Sequence, residues 1–340
     1  MKLPTLCALA LALAAASVAA PARAGAVLDR VKAAGVVRCG VLTEPDDWTK
    51  DDVHAGLPKL GRDLCGAVAA AVLGSPDKAQ VASPPAEQAG FKDLAAGRID
   101  VLMGAAPSHS ASVAFGVAFA RPVYFDGDAL MVHRDSGIHG FADLAGRSVC
   151  YVMDTEAAAT MDAEAARRQV AFKRWAFEEN GELLAAVAGR SCDAYFNSES
   201  RLAEARTTFH GRIGDFEILP ERYSVLPLSP AVAIGDPAWL EAVDAVAAAP
   251  VQAEAGGIDG AHADALRASP EPLLRPLGGT LTGIDPSVVD AGWAARAVAV
   301  TGNAAEMFER DLGQGSALKL PRGPNALWTR GGLAVPETVR

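Results

Sequence analysis

The chain has little of what enzyme chemistry requires. Its histidines (His54, His109, His133, His139, His210 and His262) are scattered, and none stands in His-Glu-x-x-His or an equivalent metal-binding spacing. There is no Gly-x-Ser-x-Gly turn to expose a nucleophilic serine. Walker-type and dinucleotide-type glycine loops are also missing. Without Cys-x-x-Cys, a zinc or thioredoxin-like centre has no framework. No catalytic residue, metal or cofactor is therefore expected. Lysine and arginine form no runs, and 31 of them face 41 carboxylates, for a formal net charge of −10. Such a balance argues against nucleic acid and anionic membrane as partners.

Long apolar runs are confined to the start. Met1-Lys2 is followed by Leu3–Ala20, uncharged and mostly alanine, and then by Pro21-Ala22-Arg23-Ala24. The pattern reads as a secretory signal peptide of residues 1–24, cleaved after Ala24. Its loss removes Lys2 and Arg23 and leaves the mature chain more acidic still. The remaining length exceeds one small core, so two compact units are expected. An exported chain meets an oxidising compartment, where the four remaining cysteines, Cys39, Cys65, Cys150 and Cys192, invite disulfides. Three pairings are open. Pairing within each region gives Cys39–Cys65 and Cys150–Cys192, and free buried thiols are the alternative.

Along the chain, apolar segments alternate with helical ones. Strands are expected at 36–41, 79–82 and 99–103, with helices at 26–33, 63–73 and 91–96. The alternation restarts with strands at 129–133, 148–153, 171–177, 192–196 and 216–219 and helices at 155–166, 181–188 and 198–206. This is a succession of two α/β units with mostly parallel sheets. Helices are expected at 239–248, 287–300 and 303–310, followed by a Gly/Pro-rich wrap. Trp293 and Trp328 are expected in the core.

Several segments carry a resemblance: Val37-Arg38-Cys39-Gly40-Val41, Asp63–Val72, Gly97–Leu102, Tyr124-Phe125-Asp126-Gly127, Gly189–Tyr195 and Pro227–Val232. The most specific run goes from Phe308-Glu309-Arg310 through Asn325-Ala326-Leu327-Trp328-Thr329 to Gly331-Gly332-Leu333. Together they resemble the periplasmic polar, or general L-amino-acid-binding, proteins of ABC importers (solute-binding protein family 3). The resemblance implies a type II periplasmic-binding-protein fold: two α/β lobes joined by two crossing strands, with a helical C-terminal extension. Lobe 1 would be 25–126 plus 226–340, and lobe 2 127–225, with hinge closure on the solute. The family's cysteines fall at the same four places, which supports the within-region pairing. A monomer working with an ABC permease in the inner membrane is expected. The alternative is a fold reused as a non-transport accessory or sensor that docks a partner protein.

The sequence departs from the family where an amino acid would be read. The family's carboxylate-binding Arg corresponds to Ala111, within Ala106-Pro107-Ser108-His109-Ser110-Ala111, and one of its hydroxyl positions to Ala106. Its ammonium-binding Asp corresponds to Ser198, in Phe196-Asn197-Ser198-Glu199-Ser200. A Gly-Thr-Thr helix start corresponds to Asp154-Thr155-Glu156, where two acidic side chains are expected to satisfy the helix end and repel an anion. The candidate ligand-binding residues are therefore Asp47, Trp48, Ser108, His109, Asp154, Thr155, Glu156, Asn197, Ser198 and Glu199. Acidic groups with one aromatic suit a small polar solute of cationic character rather than a standard L-amino acid.

Overall fold

The computed structural model describes residues 25–42, 56–178 and 180–336. Asp47 and Trp48 lie outside the described residues. The first stretch runs α1 (Ala26–Ala34), β1 (Val37–Val41), α2 (Gly56–Leu73), β2 (Ala79–Ala82), α3 (Glu87–Ala95), β3 (Val101–Ala105), α4 (His109–Phe115), β4 (Val117–Phe119) and β5 (Tyr124–Asp126). The second runs β6 (Asp128–His133), β7 (Ser148–Val152), α5 (Glu156–Arg168), β8 (Lys173–Phe177), α6 (Asn180–Ala188), β9 (Ala194–Ser198), α7 (Glu199–Thr208) and β10 (Phe216–Ile218). The chain then returns through β11 (Leu226–Ala233) to α8 (Pro237–Ala255), α9 (Arg275–Gly278), α10 (Trp293–Thr301) and α11 (Ala304–Asp311).

Two separate sheets result. One has the order β2-β1-β3-β11-β4, with β5 also on β11. The other has the order β10-β6-β9-β7-β8. In the first, β1 lies parallel to β2 and β3, while β11 runs antiparallel to β3, β4 and β5. The chain passes between the sheets at β5–β6 and again at the segment entering β11, so two strands cross. The two α/β units are those the alternating sequence pattern predicts, and their arrangement is the type II periplasmic-binding-protein architecture that the family resemblance implies.

Cys39 joins Cys65, and Cys150 joins Cys192, each within its own unit. The loops they close span 26 and 42 residues in sequence. By chain-entropy reasoning, each bond stabilises by roughly 3.5–4 kcal/mol.

Single carboxylates organise the first unit. Asp236 Oδ2 accepts the Val27 and Leu28 amides while Oδ1 accepts that of Trp239, so one side chain caps the starts of both α1 and α8. Asp100, only 2% exposed, holds both Arg30 and Arg38 at 2.7 Å. The Trp239 indole N–H donates to the Asp100 carbonyl, locking α8 onto the sheet. Arg296 of α10 donates to the Ala70 and Ala71 carbonyls near the end of α2.

Several elements differ from expectation, for local reasons. Helix α8 continues past Ala248 to Ala255 through Pro250. An internal proline costs about 3 kcal/mol in a helix, but here the face carrying Val246, Ala249 and Ala253 is buried in the core. Helix α10 starts at Trp293 rather than Ser287. Asp285 and Asp290 accept the Ser287 and Gly292 amides, and these side-chain turns displace helix from that stretch. Strand β11 contains Pro227 and Pro230. The register shifts between Ser229 and Ala231, the irregularity at which a proline is tolerated. Trp293 is buried as expected, whereas Trp328 is 59% exposed on the C-terminal wrap, a correction to its core assignment.

Candidate functional site

A cavity of about 470 Å³ opens between the two sheets, inside the ~300–1,000 Å³ range of small-molecule sites. One wall comes from the carboxyl ends of β1 and β3 (Val41, Met103, Gly104), from the start of α2 and from Glu87 at the head of α3. The opposite wall comes from β9 and α7, through Ser198, Ser200, Arg201 and Glu204. The crossing strands β5 and β11 supply Tyr124, Asp126, Leu226 and Leu228. Carboxyl ends of parallel strands are where open α/β sheets leave room for a ligand.

Most of the wall is apolar, and its charges are few. Glu87 Oε1 accepts the Ala106 amide at 2.7 Å. Burial, followed by the nearby Glu156 carboxylate, pushes the Glu87 carboxyl above its ordinary value, against that hydrogen bond. Asp126 is buried and accepts the Ser200 hydroxyl at 2.5 Å, the Ser200 amide at 3.2 Å and the Gly127 amide at 2.9 Å. The start of α7 thus spends its amides on the protein itself, since the Glu199 amide also donates to the Gly127 carbonyl. Arg201 is the cation lining the cavity among the described residues, and it lies 3.9 Å from Glu204. Burial lowers its pKa, but a guanidinium stays charged at any ordinary pH. Tyr124 is 1% exposed, and its hydroxyl, beside Arg222, has no hydrogen-bond partner among the described residues.

The crossing point has its own geometry. A β-carbon on Gly127 would stand 2.2 Å from the Ser224 carbonyl oxygen, so only glycine lets the two crossing segments approach this closely. Ser224 Oγ accepts the Asp128 amide at 2.9 Å and donates to the Asp128 carboxylate at 2.8 Å, tying the segments together.

Of the sequence-derived candidates, Ser198 lines the cavity. Glu199 turns the other way: it is 2% exposed and ion-paired with Arg222. Asn197 donates to the Tyr195 hydroxyl at 2.8 Å and accepts the Ser198 amide. Ser108 caps α4 through the Ala111 amide, and His109 is exposed beside it. At the head of α5 the cap is Thr155, whose hydroxyl accepts the Ala158 amide and donates to the Val152 carbonyl. The two acids expected to satisfy that helix end do not cap it: Asp154 sits exposed at φ 58°, and Glu156 is the first helical residue. Ala111 is buried and brings no charge. Sequence reasoning missed Glu87, Tyr124, Asp126, Arg201 and Glu204. A spacing signal existed for the last two, because Arg201 and Glu204 sit one turn apart on a helix whose start was already suspected.

No protein-family model matches the chain. It is 33% identical over 329 residues to the general L-amino acid-binding periplasmic protein AapJ of Rhizobium johnstonii, covering 95% of this chain and 96% of that one. The chain belongs to the periplasmic solute-binding proteins of ABC transporters. A second member, the putative amino-acid ABC transporter-binding protein YhdW of Escherichia coli K12, is 30% identical over 343 residues, covering 100% of this chain and 99% of the relative. Among solved structures, the Brucella ovis ABC-transporter periplasmic binding protein with glutathione bound superposes with a TM-score of 0.73 at 30% identity. It covers 92% of this chain and 99% of that one. In a solute-binding protein the space between two such sheets is where solute is held and where hinge motion acts, so the 470 Å³ cavity is the candidate site.

Proposed function

We propose that this chain is an exported receptor of an ABC importer, led out by residues 1–24, that holds a small polar solute other than a common L-amino acid. Lobe 1 comprises 25–126 and 226–340, and lobe 2 comprises 127–225. The lobes close on the solute about Asp126–Asp128 and the segment leading into β11. The solute has cationic character, and the protein performs no chemistry on it.

One observation carries this reading. Among the described residues, the cavity wall presents Glu87, Asp126 and Glu204 against a single arginine, with Ala111 where the family resemblance implies a carboxylate-binding Arg. A charge-assisted contact of that kind is worth about 2–5 kcal/mol when its partner stays buried. Without it, an α-carboxylate has little to hold it in lobe 1. The Brucella relative, solved with glutathione bound, supports a cavity that takes solutes broader than one amino acid. The relatives' assignment to transporters favours import over an accessory role.

A thermal-shift screen of the mature chain against amines, guanidines, glutathione and the common L-amino acids tests the proposal. A receptor at 100 times its Kd gains about 2.7 kcal/mol of stability. A shift with an amine, guanidine or peptide is expected, and a shift confined to L-amino acids would refute the choice of solute.

A further inference from the structure

We infer that Arg206 is a positioning residue for solute capture: from α7 in lobe 2 it clasps the Leu318 carbonyl of the C-terminal extension in lobe 1, and so holds the cavity-lining face of α7 against lobe 1 when the lobes are closed. The inference rests on the hinge-closing receptor reading above and deepens it, since Arg206 is not among the residues lining the cavity.

Three observations carry it. First, α7 divides its surface three ways at helical spacing. Leu202, Ala205 and, just past the helix, Phe209 are buried in the core of the second unit. Arg201 and Glu204 line the cavity. Ser200 and Ala203 turn to the first unit. Ser200 bonds to Asp126 through its hydroxyl and its amide, and Ala203, fully buried, packs in the first unit's core. Among the described residues, Ala203 is the one buried side chain of 127–225 in that core.

Second, Arg206 continues that face, three residues on from Ala203. Its Nη2 donates to the Leu318 carbonyl, 112 residues away in sequence. Its Nε is buried without a partner among the described residues, so the clasp is not a two-point fork. A donor that carries charge makes a stronger bond than a neutral one. Leu318 is buried. Without Arg206, the closed state keeps that carbonyl from water and gives it no donor, whereas the open state hydrates it. The loss therefore falls on the closed state. Only the closed fraction holds solute, so opening weakens the apparent affinity for every solute alike.

Third, a built turn presents the acceptor. The Leu318 amide donates to Ser316 Oγ at 3.1 Å, the Ser316 hydroxyl donates to the Gly313 carbonyl at 2.9 Å, and the Leu320 amide returns to the Leu312 carbonyl at 2.9 Å. Lys319 stands at φ 52°, a left-handed conformation that a lysine keeps only where its surroundings hold it. Its ammonium donates across the turn to the Gln314 carbonyl. The direction of the Leu318 carbonyl is thus set within lobe 1, before α7 meets it.

The experiment measures lobe separation in the mature chain without solute, by dipolar distances between nitroxides on Lys92→Cys in α3 and Ala163→Cys in α5, both exposed. The four native cysteines are paired and take no label. With Arg206 present, a short distance should dominate. Arg206→Met keeps an unbranched stem and removes the donors. It should raise the ratio of long to short distances about tenfold, with thermal unfolding still cooperative. Arg206→Lys restores a charged donor and should return the ratio most of the way. Ser316→Ala loosens the turn from the other side of the clasp and should raise the ratio by less; it carries the test if Arg206→Met does not fold. An unchanged ratio in Arg206→Met, or in Ser316→Ala where that variant carries the test, would overturn the clasp and leave the receptor reading standing. Arg206→Lys as open as Arg206→Met would also overturn it. One fixed distance in every variant would show that the two units do not move, and would overturn the hinge reading itself.

Discussion

Asp100 and Asp126 are both buried, and they do opposite work. Asp100 lies at the amino end of β3, beside β1, and is held by two cations: Arg30 and Arg38 both reach it, and the Arg38 amide donates to it as well. All of its contacts stay within one unit, so no lobe motion disturbs them. Asp126 lies at the crossing point with hydroxyl and amide donors, and its Ser200 partners belong to the other unit. Separation of the two units about the crossing point would have to break or exchange those bonds. A buried carboxylate neutralised inside one lobe is scaffold; one satisfied across the hinge is positioned to register closure.

Substitutions can break or sharpen this contrast. The largest effect is expected beside Asp126, where Glu199→Ala leaves the Arg222 guanidinium buried without its carboxylate. Urea unfolding should show a loss of roughly 3–5 kcal/mol. A loss below about 1 kcal/mol would mean that the hinge pair is solvated in solution.

Asp100→Ala should cost about 2–3 kcal/mol, because Arg30 and Arg38 keep partial access to water. Solute affinity should not change, since Asp100 is not among the residues lining the cavity. A change in affinity would show that the two aspartates are not functionally separate. Thr155→Ala removes the cap of α5 and should lower stability by about 1 kcal/mol. No loss would return the capping role to Asp154 or Glu156.

The smallest effect belongs to Asp126→Asn and is read from pH dependence. Burial holds the Asp126 carboxyl above its ordinary value, against three hydrogen bonds. The folded state therefore binds this proton more tightly than the unfolded chain does. Its contribution to stability is fully present below the ordinary aspartate pKa and is lost as pH rises through the raised folded value. In Asp126→Asn that slope should vanish, leaving the variant no less stable than wild type at neutral pH. A slope that persists would assign it to another carboxylate, with Glu87 the first candidate.

The architecture was legible because hydrophobic alternation and Gly stops mark strands and helices locally. Cys39–Cys65 and Cys150–Cys192 followed from region, α2 from its alanine content and the Gly74-Ser75-Pro76 stop, and α5 from the acidic residues at its start. The site was far less legible. Ser198 was found because it occupies a position where the family carries a functional group. Tyr124 and Asp126 stood inside a segment that carries the family resemblance but had no site role there, and nothing local marks Glu87. Glu87 heads an ordinary helix, and the other two lie in a three-residue strand whose environment is made by α7, some 75 residues later. Glu199 shows the converse: acidic and well placed in sequence, it is turned away by helix geometry to meet Arg222. Ligand-site identity is a property of two lobes meeting, which a pass along one chain does not contain.

The central claim is that this solute-binding protein keeps the family's fold but not its reading of an α-amino acid. Calorimetric titration of the mature chain with the common L-amino acids tests it most directly. The account predicts no binding in the micromolar range for any of them. Micromolar binding of even one would contradict it and would require a carboxylate site in the cavity that does not depend on position 111.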